Sequence, residues 1–251
     1  MSITLIAAVL FVCLVGAALL GRLVHCYLPQ DHLSDSSRDS VKLAMGLVAT
    51  MTALVLGLLV SSAKESYDTK RNEVIQMAAK VAFLDRVLEL YGPEAAEARS
   101  ELRAAVADGV GRIWSSDRGG PARLATSHQA GDALYVALQR MSPRDDTQRT
   151  LKAQVESLTV DLGQLKALLI AQSIPSISKP MLIILVSWLV VIFFGFSVIA
   201  PPNATTMLAS VASAFSVACA IFLILELDQP FGGLIHIPSE PITNVLNQLA
   251  K

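Results

Sequence analysis

Charge, aromatic rings and cysteine are all scarce in this sequence, and each scarcity removes a class of protein. Charged residues make up 16% of the 251 and hydrophobic ones 53%, too apolar a balance for a domain solvated throughout. A formal net charge of −1 argues against a nucleic-acid partner, which needs a basic footprint. The three cysteines, Cys13, Cys26 and Cys219, form no closely spaced pair. They read as small apolar residues packed in helices rather than as a disulfide or a metal site. His25, His32, His128 and His236 are scattered without ligand spacing, so no zinc site is expected. No Gly-rich phosphate loop, nucleophile elbow or HExxH string occurs. Paired acids such as Asp145-Asp146 stand at a helix start, where they complement the macrodipole without a catalytic role. The chain reads as no enzyme, with no cofactor and no metal.

What remains is apolar and concentrated in four runs, Ile3–Val24, Val41–Ser62, Met181–Ala200 and Thr205–Leu227. Each can cross a hydrocarbon core, which takes about 20 helical residues. The charges inside them, Arg22, Lys42 and Glu226, sit at the ends. The first run could be a secretory leader, but Met1-Ser2-Ile3-Thr4 holds no basic residue and the apolar stretch is too long, so it reads as a span.

The second run organises the chain. No proline or glycine falls between Ser61 and Leu90, and the first breaker is Gly92-Pro93. Beyond the span, Val74, Met77, Val81, Leu84, Leu88 and Tyr91 alternate three and four apart, the spacing of a buried helical seam. One helix is therefore expected to leave the bilayer and become the inner wall of a helical domain. Within the span, Gly46, Ala49, Ala53 and Gly57 form a small-residue stripe that lets helix backbones approach closely. The adjacent face carries Leu47, Thr50, Leu54, Leu58 and Ser61, then Glu65 and Asp68. Such a face suits a narrow pore gated by dewetting leucines, and equally a dry core.

Residues 63–179 are hydrophilic and patterned for helices. Pro93 suits a first turn before Glu94–Trp114, and Ser115–Pro121 is the clearest loop. Ala122–Met141 follows as a helix, and Leu151, Val155, Leu158, Leu162, Leu165 and Leu169 repeat the three-four spacing. Two long seams around two shorter helices make a bundle. Ala200–Asn203 is short enough to make the last two runs an antiparallel hairpin, and Ile242–Leu249 is a short amphipathic tail helix. Asp35 or Ser36 could cap the second span or contact an ion or partner in a vestibule. Glu226 and Asp228 are acids at a membrane end, solvated, paired (Lys179 is one candidate) or functional.

The expected fold is an all-α membrane protein: four transmembrane helices with a cytosolic helical bundle inserted between spans two and three. The divisions are a first hairpin over 1–62 (spans 3–24 and 41–62), a cytosolic helical domain over 63–179, a second hairpin over 180–227 and a cytosolic tail over 228–251. Lys64, Lys70, Arg71, Lys166 and Lys179 near the membrane on one side, against Arg22, Arg38 and Lys42 on the other, place the insert and both termini in the cytosol of an inner-membrane protein.

Several strings together resemble the bestrophin-like family of bacterial membrane proteins. They are His32-Leu-Ser-Asp35 with Arg38-Asp39, Met45–Thr50 running to Ala63-Lys64, Leu84-Asp85-Arg86, Tyr91-Gly-Pro93 and Ile221–Phe231. Bestrophins are pentameric chloride channels with four spans per subunit, cytosolic termini and a pore lined by the second span. The resemblance therefore implies a homo-oligomeric channel for small inorganic ions, embedded in a lipid bilayer. Thr50, Leu54 and Leu58 would form its constriction, with Ser61 beyond it and Glu65 and Asp68 a charged mouth. Asp228-Gln-Pro-Phe-Gly232 is similar to the string after the last bestrophin span. Bestrophins follow that string with an acidic run that clasps calcium, whereas Gly233-Leu-Ile-His-Ile-Pro238 stands here; their pore neck is aromatic, and Val41–Ser62 holds no aromatic residue. Calcium gating and chloride selectivity are accordingly not carried over, and the sign of the ion stays open. The alternative function is a non-conducting membrane scaffold whose helical insert binds a cytosolic partner.

Overall fold

The structure is a computed structural model that describes residues 3–27, 35–114, 129–172, 179–201 and 203–249, with the side chains of 35–38, 129, 130 and 179 excepted. Every regular element among them is helical. The order is α1 (Ile3–Tyr27), α2 (Asp35–Tyr91), a short 3-10 turn (Pro93–Ala95), α3 (Ala96–Ile113), α4 (Gln129–Arg140), α5 (Asp146–Ala171), α6 (Lys179–Ile199), α7 (Ala204–Asp228) and α8 (Glu240–Gln248). Among the described residues, four helices are long and apolar enough to cross a membrane. The expected capping by Asp35 or Ser36 and the Lys179 partner fall on side chains outside those described. The expected Ser115–Pro121 loop and the first residues of the helix begun at Ala122 lie outside the described residues as well.

The second helix runs unbroken for 57 residues because nothing in it favours another conformation until Gly92. There φ turns to +112°, a conformation that favours glycine, and Pro93 then opens the 3-10 turn. The carbonyl of Tyr91, orphaned at this helix end, accepts from Gln148 Nε2 at 3.0 Å. Gln148 belongs to the start of α5, where its backbone N–H donates to Asp145 Oδ1 at 2.7 Å. Asp145 is thus an N-cap, a sharper role than the dipole alone suggested.

The chain divides into two compact units. The first is Met1–Glu65 with Ser176–Asp228, and the second is Ser66–Pro175 with Gln229–Lys251.

In the first unit, α1 packs against both α6 and α7. A Cβ built on Gly21 would stand 2.5 Å from the backbone O of Phe194, and one on Gly195 would stand 2.6 Å from Met45 Sδ. Close helix approach in this unit therefore uses these two glycines. His25 Nδ1 donates to the carbonyl of Val198 at 2.7 Å, and Phe11 meets Phe215 edge to face at 6.2 Å. The turn after α6 is tied by the Thr206 hydroxyl, 2.8 Å from each of the carbonyls of Pro201 and Asn203. The three cysteines are free and exposed.

The second unit has a water-soluble protein's core. The seam of α2, with Leu84 and Leu88 wholly buried, meets Leu102 of α3, Leu138 of α4 and Val155 of α5. Ile242 and Leu249 of the tail enter the same core, so the tail belongs to this unit. Burying side chains of this size is worth about 1.5–3 kcal/mol each. Arg99 grips Asp85 with two hydrogen bonds of 2.7 and 3.0 Å, joining α3 to α2 at the core's edge.

Candidate functional site: the outward face of α2

In a helix, residues three and four apart share a face. On α2, Thr52, Leu59 and Ala63 are buried against the rest of the chain. Leu54 and Leu58, on roughly the opposite side, are 70% and 66% exposed, and Leu47, Thr50, Ser61 and Glu65 are exposed with them. Asp68 is half-buried and interacts with another group. Of the residues expected to line a pore, Thr50, Leu54, Leu58, Ser61 and Glu65 thus share one exposed face, and Asp68 continues it half-buried. Thr50 Oγ1 donates to the carbonyl of Leu47 at 2.8 Å, so its lone pairs are what it presents outward.

The small-residue stripe lies between these two sides. Gly46 and Ala49 are half-buried, Ala53 and Gly57 exposed. A Cβ at Gly46 or Gly57 would meet nothing within 4 Å among the described residues, so the stripe has room there for a close neighbour. At the far end of α7, Glu226 is only 3% exposed and Asp228 half-buried, and both interact with other groups. Among the described residues, no group of three His, Cys, Asp or Glu stands together as a metal cage.

A second cluster joins the ends of the two expected seams, Val74 and Leu169, to Ile237, Trp114 and Phe231, which sequence reading missed. Val74, Leu169 and Ile237 form its buried centre, packed by Tyr67, Met77, Trp114 and Phe231. Trp114 Nε1 donates to the carbonyl of Ile237 at 2.8 Å, and its ring meets Phe231 edge to face at 5.9 Å. The N–H of Ile237 in turn donates to Pro230 O at 2.7 Å, closing the turn. Buried Glu73 accepts from Gln172 Nε2 at 2.7 Å, while its Oε2 has no hydrogen-bond partner among the described residues. The one available signal was a tryptophan at the end of a helix, which periodicity cannot assign to a partner 123 residues away.

The fold and this face define a multi-pass, all-α membrane protein with four spans and an uncovered second span. The sequence model of the bestrophin-like domain matches residues 12–242. The chain therefore belongs to the bestrophin-like family. Among solved structures it is similar to two single-substitution forms of a bacterial bestrophin homologue from Klebsiella pneumoniae. One is 18% identical at a TM-score of 0.71, covering 99% of this chain and 97% of that one. The other is 18% identical at 0.69, covering 96% of each. A structure described as a membrane protein is 16% identical at 0.69, with 96% of both chains covered. These identities speak for the fold. No curated protein matches the chain.

Proposed function

We propose that this chain assembles as a homo-oligomer, pentameric as bestrophins are, and conducts small ions through a pore lined by α2. The observation that carries this is the uncovered face from Leu47 to Glu65, opposite the side of α2 that its own chain buries. A face left bare in the single chain looks onto lipid or onto the central axis of an assembly, and the interleaved Thr50, Ser61 and Glu65 favour the axis. The Gly46–Gly57 stripe, uncovered in the single chain, then serves as a subunit contact. Leu54 and Leu58 would form the hydrophobic constriction, with Thr50 lone pairs on one side of it. Glu65 and Asp68 bring negative charge to the mouth, which weighs toward cations over chloride.

Residues 63–179, with the termini, would lie in the cytosol of an inner-membrane protein. Exposed Lys64 and Arg71 and half-buried Lys166 support that orientation, while Lys70 is buried and counts for less. The test is ion flux from liposomes holding the purified protein, chloride against potassium, with Leu54→Ala and Leu58→Ser beside the parent. Flux altered by both variants is expected. A well-folded oligomer that passes neither ion would leave the scaffold reading, and a strictly monomeric protein in nanodiscs would remove the channel.

A further inference from the structure

A cleft of about 380 Å³, open to solvent on one side, is cut into the second unit between α2, α3, α4, α5 and α8. Its apolar wall includes Val81, Leu102, Val106, Leu134, Leu162 and Ile242, all members of the unit's core or packed on it. Native cores leave few voids larger than a water molecule, and small-molecule sites run from about 300 to 1,000 Å³. The glycines sharpen the point. Gly131 and Gly163 line the cavity, and a Cβ added to either would meet nothing within 4 Å. Mid-helix glycine, as Gly163 is in α5, weakens a helix relative to alanine. The usual return is a close neighbour, and neither glycine has one here. Both keep space open.

The polar groups in the wall set the chemistry of an occupant. Thr159 Oγ1 donates to the carbonyl of Val155 at 2.8 Å and so offers the cavity only lone pairs. Asp108 is held by Arg112 Nε at 2.8 Å from each oxygen, and Asp132, on an exposed position of α4, adds a second carboxylate. Lys166 is the one cation among the lining residues, and it is already engaged by another group. Tyr135 lines it too, with a phenol that can donate or accept, so the wall offers mostly acceptors around an apolar interior. We propose that this cavity binds a small amphiphile with an apolar body and a hydrogen-bond-donating head, an amine or alcohol rather than a carboxylate.

The experiment uses the full chain in nanodiscs, with thermal unfolding followed as octylamine, 1-octanol or octanoate is added. Octylamine should raise Tm by about 3 °C at roughly tenfold above half-saturation, octanol by less and octanoate by least. Gly163→Leu, which fills the cavity, should abolish the octylamine shift, and Gly163→Ala should keep it. Asp132→Asn should bring octylamine down toward octanol. Should Gly163→Leu not fold, Gly131→Leu fills the same space from α4. Shifts of equal size in parent and filled variant would mean partition into lipid and overturn the proposal. So would no shift with any probe, or the largest shift with octanoate.

Discussion

The two units of this chain are built on opposite surfaces. In the second, apolar residues turn inward: Leu84, Leu88, Leu102 and Leu138 are almost wholly buried, and ion pairs such as Arg140–Glu97 and Arg144–Glu94 line the outside. In the first, Val12, Leu54, Ile183, Leu208 and Phe215 stand outward, while Gly21 admits a neighbouring backbone carbonyl and Gly195 the Met45 side chain. The contrast follows from the solvent. Water drives apolar area into a core at about 25 cal/mol per Å², whereas a bilayer rewards no such burial and leaves helix association to close packing. The long helix α2 obeys the first rule after Ser66 and the second before it.

The sharpest way to break this comparison is to truncate a leucine on each side. Leu88→Ala, in the second unit's core, should cost about 2–5 kcal/mol in denaturant unfolding of the purified protein. Leu54→Ala should cost under about 0.5 kcal/mol, because nothing in its own chain covers it. Next in size is glycine. Gly21→Ala places a methyl against the Phe194 carbonyl and should cost about 1–3 kcal/mol, read as a lower Tm. Gly57→Ala should leave single-chain stability unchanged and act, if anywhere, on oligomer mass.

A smaller effect is set by pH. Burial, reinforced by the Glu94 carboxylate, raises Tyr91 above its ordinary 10.0, with Arg144 opposing. Its hydroxyl has no hydrogen-bond partner among the described residues. The folded state then keeps the phenol proton where the unfolded chain releases it, so stability falls as pH rises past 10.0. Tyr91→Phe should flatten that fall in pH-dependent melting and change stability at pH 7 by under about 1 kcal/mol. Smallest of all is the exposed Lys42–Asp39 pair, whose loss in Asp39→Asn should stay within about 0.5 kcal/mol by the same melting measurement.

Much of the fold was legible because breakers and periodicity are local. Gly92-Pro93 marked the end of α2, and the seams at Val74–Tyr91 and Leu151–Leu169 do share the second unit's cores. The intrachain packing glycines were not legible. In an all-apolar span every face looks alike, so nothing in the sequence marked Gly21 and Gly195. The bond from Trp114 to Ile237 depends on a neighbour distant in sequence. On α2 the leucine–threonine row was visible as a pattern. Only the fold could say that its own chain leaves that row bare.

The central claim is that this bare row meets water rather than lipid. The direct measurement replaces Cys13, Cys26 and Cys219 with serine, introduces Leu54→Cys or Val12→Cys, and treats each protein in liposomes with a charged, membrane-impermeant thiol reagent. Modification of Leu54→Cys with a parallel change in ion flux, and none at Val12→Cys, is the predicted result. An unreactive Leu54→Cys in a protein that still conducts would contradict the account and place the pore elsewhere.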